Sequence, residues 1–134
     1  MQSSGGARAF QNARLQKKLM KQADAVLSAA ATAYGQGRYA ETEALCREIL
    51  KALPDHVDAL HLLGMCAHDG RRLEEAQQLL KRVIVLDPRL HDAHSNLATV
   101  HFDLGNYEEA RRCQERAIAL KPNFAVALTN LGTR

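Results

Sequence analysis

Two consecutive stretches of 34 residues decide the fold of this chain. They are residues 57–90, VDALHLLGMCAHDGRRLEEAQQLLKRVIVLDPRL, and residues 91–124, HDAHSNLATVHFDLGNYEEARRCQERAIALKPNF. The three prolines of the chain keep the same spacing of 34 residues. A fixed period of this size indicates a repeat array, in which each repeat is one supersecondary element. The prolines are Pro54, Pro88 and Pro122, and the aligned identities include Asp58/Asp92, Ala59/Ala93, Leu63/Leu97, Glu74/Glu108, Glu75/Glu109, Ala76/Ala110, Ile84/Ile118 and Leu86/Leu120.

Each repeat reads as two helices joined by a short turn. Apolar residues recur at steps of three and four, a glycine-containing turn divides the repeat, and the closing proline disfavours helical conformation in the residue before it. The sequence therefore predicts an all-α fold, a right-handed α-solenoid of antiparallel helix pairs. The predicted helices are 38–52, 57–68, 72–86, 91–104 and 107–120, and the predicted turns are Gly35-Gln36-Gly37, Asp69-Gly70-Arg71 and Gly105-Asn106.

The N-terminal part follows a different pattern. Residues 1–7 contain two serines followed by two glycines, and we expect a disordered start there. From Arg8 onward nothing breaks a helix until Gly35, and apolar residues form a helical stripe. We therefore expect residues 1–22 to be a basic segment with a disordered start and a helical extension that runs into the first repeat.

Charge is distributed unevenly along the chain. The net charge is +3, yet residues 1–22 hold five of the 18 bases and none of the 15 acids, which leaves 13 bases against 15 acids in the repeats. A mildly acidic array argues against nucleic-acid binding, which requires clustered Lys and Arg. No apolar run is long enough to span a bilayer. Cys46, Cys66 and Cys113 form no CxxC pair and are expected to be small buried hydrophobes, which suits a cytoplasmic location.

The 34-residue repeats of this chain resemble those of the tetratricopeptide repeat family. The family's 34-residue unit prefers a large residue, then leucine and glycine, a tyrosine-like residue, an alanine in the second helix and a closing proline. The resemblance divides the chain into repeats at 23–56, 57–90 and 91–124, with residues 125–134 as the first helix of a truncated fourth repeat or a cap. The residues that carry it are Leu60, Leu63-Gly64, Ala67, Ala76, Leu80, Val83 and Pro88 in the second repeat, His94, Leu97-Ala98, His101, Ala110, Ala117 and Pro122 in the third, and Leu128 and Leu131-Gly132 in the fourth. Because the chain stops inside a repeat, we expect a fragment of a longer protein.

The resemblance implies a function in protein binding. First-helix residues of this family line a concave groove, which here holds five aspartates and no lysine or arginine. We expect it to bind an extended or helical peptide of neutral to basic character. The candidate groove residues are Asp58, His61, Met65, His68, Asp92, Asn96, Thr99, Phe102, Asp103 and Asn130.

Two known uses of such a groove can be weighed on these residues. Family members that hold acidic chaperone C-termini clamp carboxylates with lysine, asparagine and arginine, whereas the matching positions here include Leu27, Leu62 and Asp92. We therefore expect no binding of acidic chaperone C-termini. Asn96 and Asn130 resemble the asparagine ladder of O-linked N-acetylglucosamine transferases, and amides can read a peptide backbone. A non-catalytic, substrate-recruiting arm of a larger glycosyltransferase is therefore the alternative function.

Catalytic and metal-binding signatures are missing from the sequence. There is no glycine-rich phosphate loop or nucleophile elbow, so we expect no enzyme activity and no cofactor for this chain, while the full-length protein stays open. The six histidines show no zinc signature, and His94 and His101 occupy positions that the family fills with packing residues. We therefore expect no metal.

The basic N-terminal segment allows several interpretations. It can cover the apolar edge of the first repeat, bind an anionic membrane or nucleic acid, or dock into the acidic groove of another copy. The last would give a homo-oligomer through the N-terminal helix, and the ends of the solenoid are a second route to one. Its serine-containing, acid-free start also has some transit-peptide character.

Overall fold

The computed structural model describes the backbone of residues 3–121 and the side chains of residues 11–121. Helices account for nearly all of this part of the chain, and no strand occurs in it, so the predicted all-α helical repeat fold is confirmed. The chain divides into an N-terminal unit, residues 1–59, and a C-terminal unit, residues 60–134. The helices are α1 (Ser3–Gly35), α2 (Tyr39–Ala52), α3 (Val57–Asp69), α4 (Leu73–Leu86), α5 (His91–Asp103) and α6 (Tyr107–Leu120).

Helix α1 differs from its prediction at the N-terminus. It begins at Ser3, so the disordered start expected for residues 1–7 is wrong for residues 3–7. The two glycines fall in the first turns, and no proline interrupts the chain between Ser3 and Gly35. Because adding residues to an existing helix is far easier than nucleating one, a long uninterrupted helix can extend through weak helix formers at its end.

The N-terminal unit is held by a small apolar core formed by α1, α2 and the start of α3. Its buried members include Ala23, Ile49, Leu53 and Ala59, and Leu19 of α1 packs against them. The helical stripe predicted for α1, which begins at Leu15, is buried or partly buried from Leu19 onward. Leu15 itself is 54% exposed, and Met20, outside the stripe, is 44% exposed.

The C-terminal unit packs small residues against large ones. Ala67, Ala76, Leu80, Leu97 and Val100 form its buried core. Gly64 faces α4 so closely that a Cβ atom on it would lie 3.2 Å from Cγ of Leu80. Small side chains at this helix crossing thus allow α3 and α4 to approach each other closely.

The helix-connecting turns repeat with the 34-residue period. The backbone N–H groups of Arg38, Arg72 and Asn106 donate to carbonyls five residues back, at 2.9, 2.8 and 2.8 Å. Such a bond is typical of a helix end at which the residue before the donor has a left-handed conformation. The left-handed residues are Gly37 (φ 76°), Arg71 (φ 62°) and Gly105 (φ 84°). The middle turn thus places the strain on Arg71, one residue after the glycine of its predicted turn.

The three cysteines are buried to different extents. Cys46 and Cys66 are buried and Cys113 is partly buried, and all three are free thiols; burial, followed by the charge of Glu109, raises the pKa of Cys113. Within the described part of the chain, no helix is long and apolar enough to cross a membrane. Pro122, Asn130 and the fourth repeat lie outside the described residues.

Candidate functional site

The first helices of the C-terminal unit, α3 and α5, bring candidate groove residues together in two pairs. His61 contacts Asn96, and His68 contacts Asp103. Each pair joins residues 35 positions apart, so the partner lies one position further along its own repeat. The same step in both pairs follows from the regular stacking of one repeat on the next.

In the first pair, the side-chain amide of Asn96 is held in place. Its Nδ2 donates to Nε2 of His61 at 2.8 Å. Asn96 is half-buried and makes no other hydrogen bond with the described residues, so its carbonyl oxygen stays able to accept from a ligand. A fixed amide with a remaining acceptor is suited to reading the N–H groups of a peptide.

In the second pair, Asp103 is the centre of a charged cluster. Its Oδ2 accepts from Nε2 of His68 at 2.6 Å and from Nη1 of Arg71 at 3.3 Å. The hydrogen bond from His68, followed by the charges of His68 and Arg71, lowers the pKa of the Asp103 carboxyl. Arg71 was not among the predicted site residues. Its position in register with the turn glycines, Gly37 and Gly105, is the signal that could have identified it.

An aromatic pair joins the end of α5 to the start of α6. The rings of Phe102 and Tyr107 meet edge to face with centroids 5.2 Å apart, and they are 61% and 63% exposed. Tyr34 and Tyr39 form a pair at the same register of the first repeat, with centroids 5.5 Å apart. Phe102 and Tyr107 line an open cavity of about 420 Å³ with Ala98, Thr99, Ala110, Arg111 and Gln114.

Other predicted site residues are not joined to these pairs. Asp92 contacts His91 at 3.1 Å, and the hydroxyl of Thr99 donates back to the carbonyl of Ser95 at 3.3 Å. Met65 is half-buried. Asp58 belongs to the N-terminal unit. Asn130 lies outside the described residues.

The two histidines expected to pack do so. His94 and His101 are 7% and 4% exposed. A ring nitrogen of His94 bonds the carbonyl of Pro88 at 2.9 Å, and Asn106 approaches the ring of His101 at 3.4 Å. Among the residues with described side chains, no group of three or more His, Cys, Asp or Glu could hold a metal ion.

Comparison with known proteins identifies the repeats. Two sequence profiles described as tetratricopeptide repeat match residues 33–89 and residues 91–124, which together exceed half of the chain. The chain belongs to the tetratricopeptide repeat family. A search of curated proteins gives no significant match.

Solved tetratricopeptide structures share the fold. The O-GlcNAc transferase of Thermobaculum terrenum, solved as a mutant, matches with a TM-score of 0.77 and 31% identity over 79% of this chain, which spans only 20% of that protein. The Sgt2 TPR domain of Aspergillus fumigatus matches with a TM-score of 0.72, 22% identity, and coverage of 76% and 68%. The second TPR of Spaghetti (RPAP3), bound to the HSP90 peptide SRMEEVD, matches with a TM-score of 0.75, 20% identity, and coverage of 80% and 98%.

Proposed function

We propose that this protein-interaction module binds an extended or helical peptide of neutral to basic character along the first helices of its repeats. The observation that carries the proposal is the His61–Asn96 pair, with a hydrogen bond of 2.8 Å between two successive repeats. It holds an amide ready to accept from a peptide N–H. The exposed ring of Phe102 supplies apolar contact area nearby on the same helix.

The proposed charge preference follows from the carboxylates. Asp92 has a side chain that is 66% exposed, so an acidic ligand would be repelled there. The charge of Asp103 is already neutralised in part by Arg71, and its carboxylate accepts a hydrogen bond from His68. Asp103 therefore repels an acidic ligand less than Asp92 does, and the C-terminal unit favours neutral peptides as well as basic ones.

A peptide-display selection on the full chain tests this proposal. We expect the enriched peptides to be neutral or positively charged, and synthetic copies of them to bind with micromolar affinity in calorimetry. The acidic peptide SRMEEVD, which the second TPR of Spaghetti binds, serves as the negative probe. Micromolar binding of SRMEEVD, or enrichment of acidic sequences, would overturn the charge preference, and a selection that enriches nothing would overturn the proposal as a whole.

A second candidate is the non-catalytic, substrate-recruiting arm of a glycosyltransferase. The 31% identity to the Thermobaculum terrenum O-GlcNAc transferase over 79% of the chain favours it. Both candidates give the repeats the same task of holding a polypeptide. They are separated by the coding sequence downstream of Arg134: a sugar-nucleotide-binding α/β region supports the transferase arm, and further repeats or a polar cap oppose it.

A further inference from the structure

The aspartates of the two units differ in their partners. In the C-terminal unit, Asp92 lies beside His91 and Asp103 beside His68 and Arg71. In the N-terminal unit, Asp24 and Asp58 are exposed and form no ion pair with the described residues. These two carboxylates therefore stay available to a cationic ligand.

Both of these aspartates line one cavity. It has a volume of about 490 Å³ and lies between α1 and the loop that leads into α3, within the range of about 300–1,000 Å³ that is usual for ligand pockets. Helix α1 contributes Gln16, Met20 and Asp24, which are spaced four residues apart and so share one helical face. Residues 52–58 form the other wall, which includes apolar Leu53, Pro54 and Val57.

His56 adds a polar side chain to the lining of the cavity. His56 lines the same cavity and is only 9% exposed. Its Nδ1 accepts from the backbone N–H of Ala59 at 3.1 Å, so the ring proton is on Nε2. No described group accepts a hydrogen bond from Nε2. Because no described side-chain nitrogen is both buried and without a hydrogen-bond partner, this Nε2–H is accessible to solvent and can donate to a ligand.

We propose that this cavity binds one arginine or lysine residue of a peptide. The cationic head lies between Asp24 and Asp58, the aliphatic stem packs on Met20 and Val57, and the peptide carbonyl accepts from His56. A metal ion is the poorer occupant, because the described side chains include no group able to hold one. The inference deepens the proposed function and rests on it for the peptide character of the ligand. It also gives the N-terminal extension of α1 a role as one wall of a binding pocket.

Small probes test the pocket on the full chain. Nα-acetyl-arginine methylamide is titrated while NMR follows the backbone amide of Ala59 and the ring of His56. The matched probe is Nα-acetyl-citrulline methylamide, which has nearly the same shape without the charge. We expect saturable shifts with the arginine probe and at least fivefold weaker binding of the citrulline probe. Equal binding of the two probes, or no saturable shift, would overturn the proposal.

Variants separate the pocket from general charge effects. Asp24→Asn with Asp58→Asn is expected to weaken the arginine probe at least fivefold. The control is Glu48→Gln with Glu74→Gln, which removes the same net charge at two exposed positions outside the cavity, and it should bind like wild type. Equal weakening in both double variants would show a long-range charge effect and would contradict a pocket.

A conservative change at His56 tests its hydrogen bond. His56→Asn keeps a side chain able to cap the start of α3 but removes the ring N–H. We expect it to weaken the arginine probe, which has a carbonyl, while leaving n-butylguanidinium, which has none, unaffected. Equal effects on both probes would overturn the role assigned to Nε2.

The outcomes also separate this inference from the proposed function. If the probes bind as expected but peptide display enriches nothing, the proposed function fails and the pocket stands as a site for a cationic group. If display enriches peptides that the aspartate variants bind as wild type does, the pocket fails and the proposed function stands.

Discussion

At the scale of single residues, Arg71 combines an unfavourable backbone conformation with a side-chain contact in the candidate site. Its left-handed backbone (φ 62°) occupies the register at which Gly37 and Gly105 close the other two turns. Left-handed conformation costs a residue with a Cβ atom about 1–2 kcal/mol. In return, the side chain contacts Asp103 at 3.3 Å. The arginine thus contributes to the site at a cost to the turn.

Replacing this arginine by glycine should stabilise the protein. We expect Arg71→Gly to raise the free energy of unfolding by about 1 kcal/mol, because glycine adopts positive φ without strain. Urea denaturation measures the change. Arg72→Gly, at a neighbouring residue with an ordinary φ of −91°, is the control and should not stabilise. A less stable Arg71→Gly protein, or an equal gain in both variants, would refute this explanation of the turn.

A second residue-scale prediction concerns pH. Burial, followed by the charge of Lys81, lowers the pKa of His101. A histidine whose pKa is lower in the folded state stabilises fully above its unfolded pKa of about 6.5 and loses that contribution as pH falls below it. We therefore expect the free energy of unfolding to decrease between pH 7 and pH 5, and to decrease less in His101→Phe. Equal decreases in both proteins would contradict this assignment.

At the scale of helices, sequence periodicity was sufficient to predict where α2 to α6 begin and end. The observed bounds of α2 to α6 lie within one residue of the prediction, because apolar spacing, turn glycines and prolines all mark the same boundaries. The start of α1 at Ser3 was not predicted, because no proline in this stretch marks where the helix begins. The pairing of His61 with Asn96 could not be predicted either, since the contact depends on how α5 is placed against α3 rather than on local pattern.

The helix crossing in the C-terminal unit makes an element-scale prediction. Ala76 is fully buried in the core of the C-terminal unit. Gly64 of α3 lies so close to Leu80 that even a Cβ atom there would be in tight contact. We expect Ala76→Leu to overpack this crossing and to cost about 1–3 kcal/mol of stability. Gln78→Leu, on the exposed face of α4, adds a similar side chain and should have a small effect. An unchanged thermal midpoint for Ala76→Leu would contradict the repeat register.

At the scale of the whole molecule, the two units distribute chemistry differently. The C-terminal unit holds an amide, a partly neutralised carboxylate and an exposed aromatic pair, which suit a peptide backbone and apolar side chains. The N-terminal unit holds two aspartates without described partners, which suit a cation. The sequence could predict which residues lie on the first helices, but it could not predict which of their charges are compensated. That distinction required the contacts of Arg71, His68 and His91.

The most direct test of the central claim is the affinity of a display-selected peptide for wild-type protein and for Asn96→Ala. A groove that reads the peptide through this amide predicts at least tenfold weaker binding in the variant. Gln78→Ala, on the exposed face of α4, should bind like wild type. Equal affinities for wild type and Asn96→Ala, with both proteins folded by circular dichroism, would show that the peptide binds elsewhere and would contradict the account.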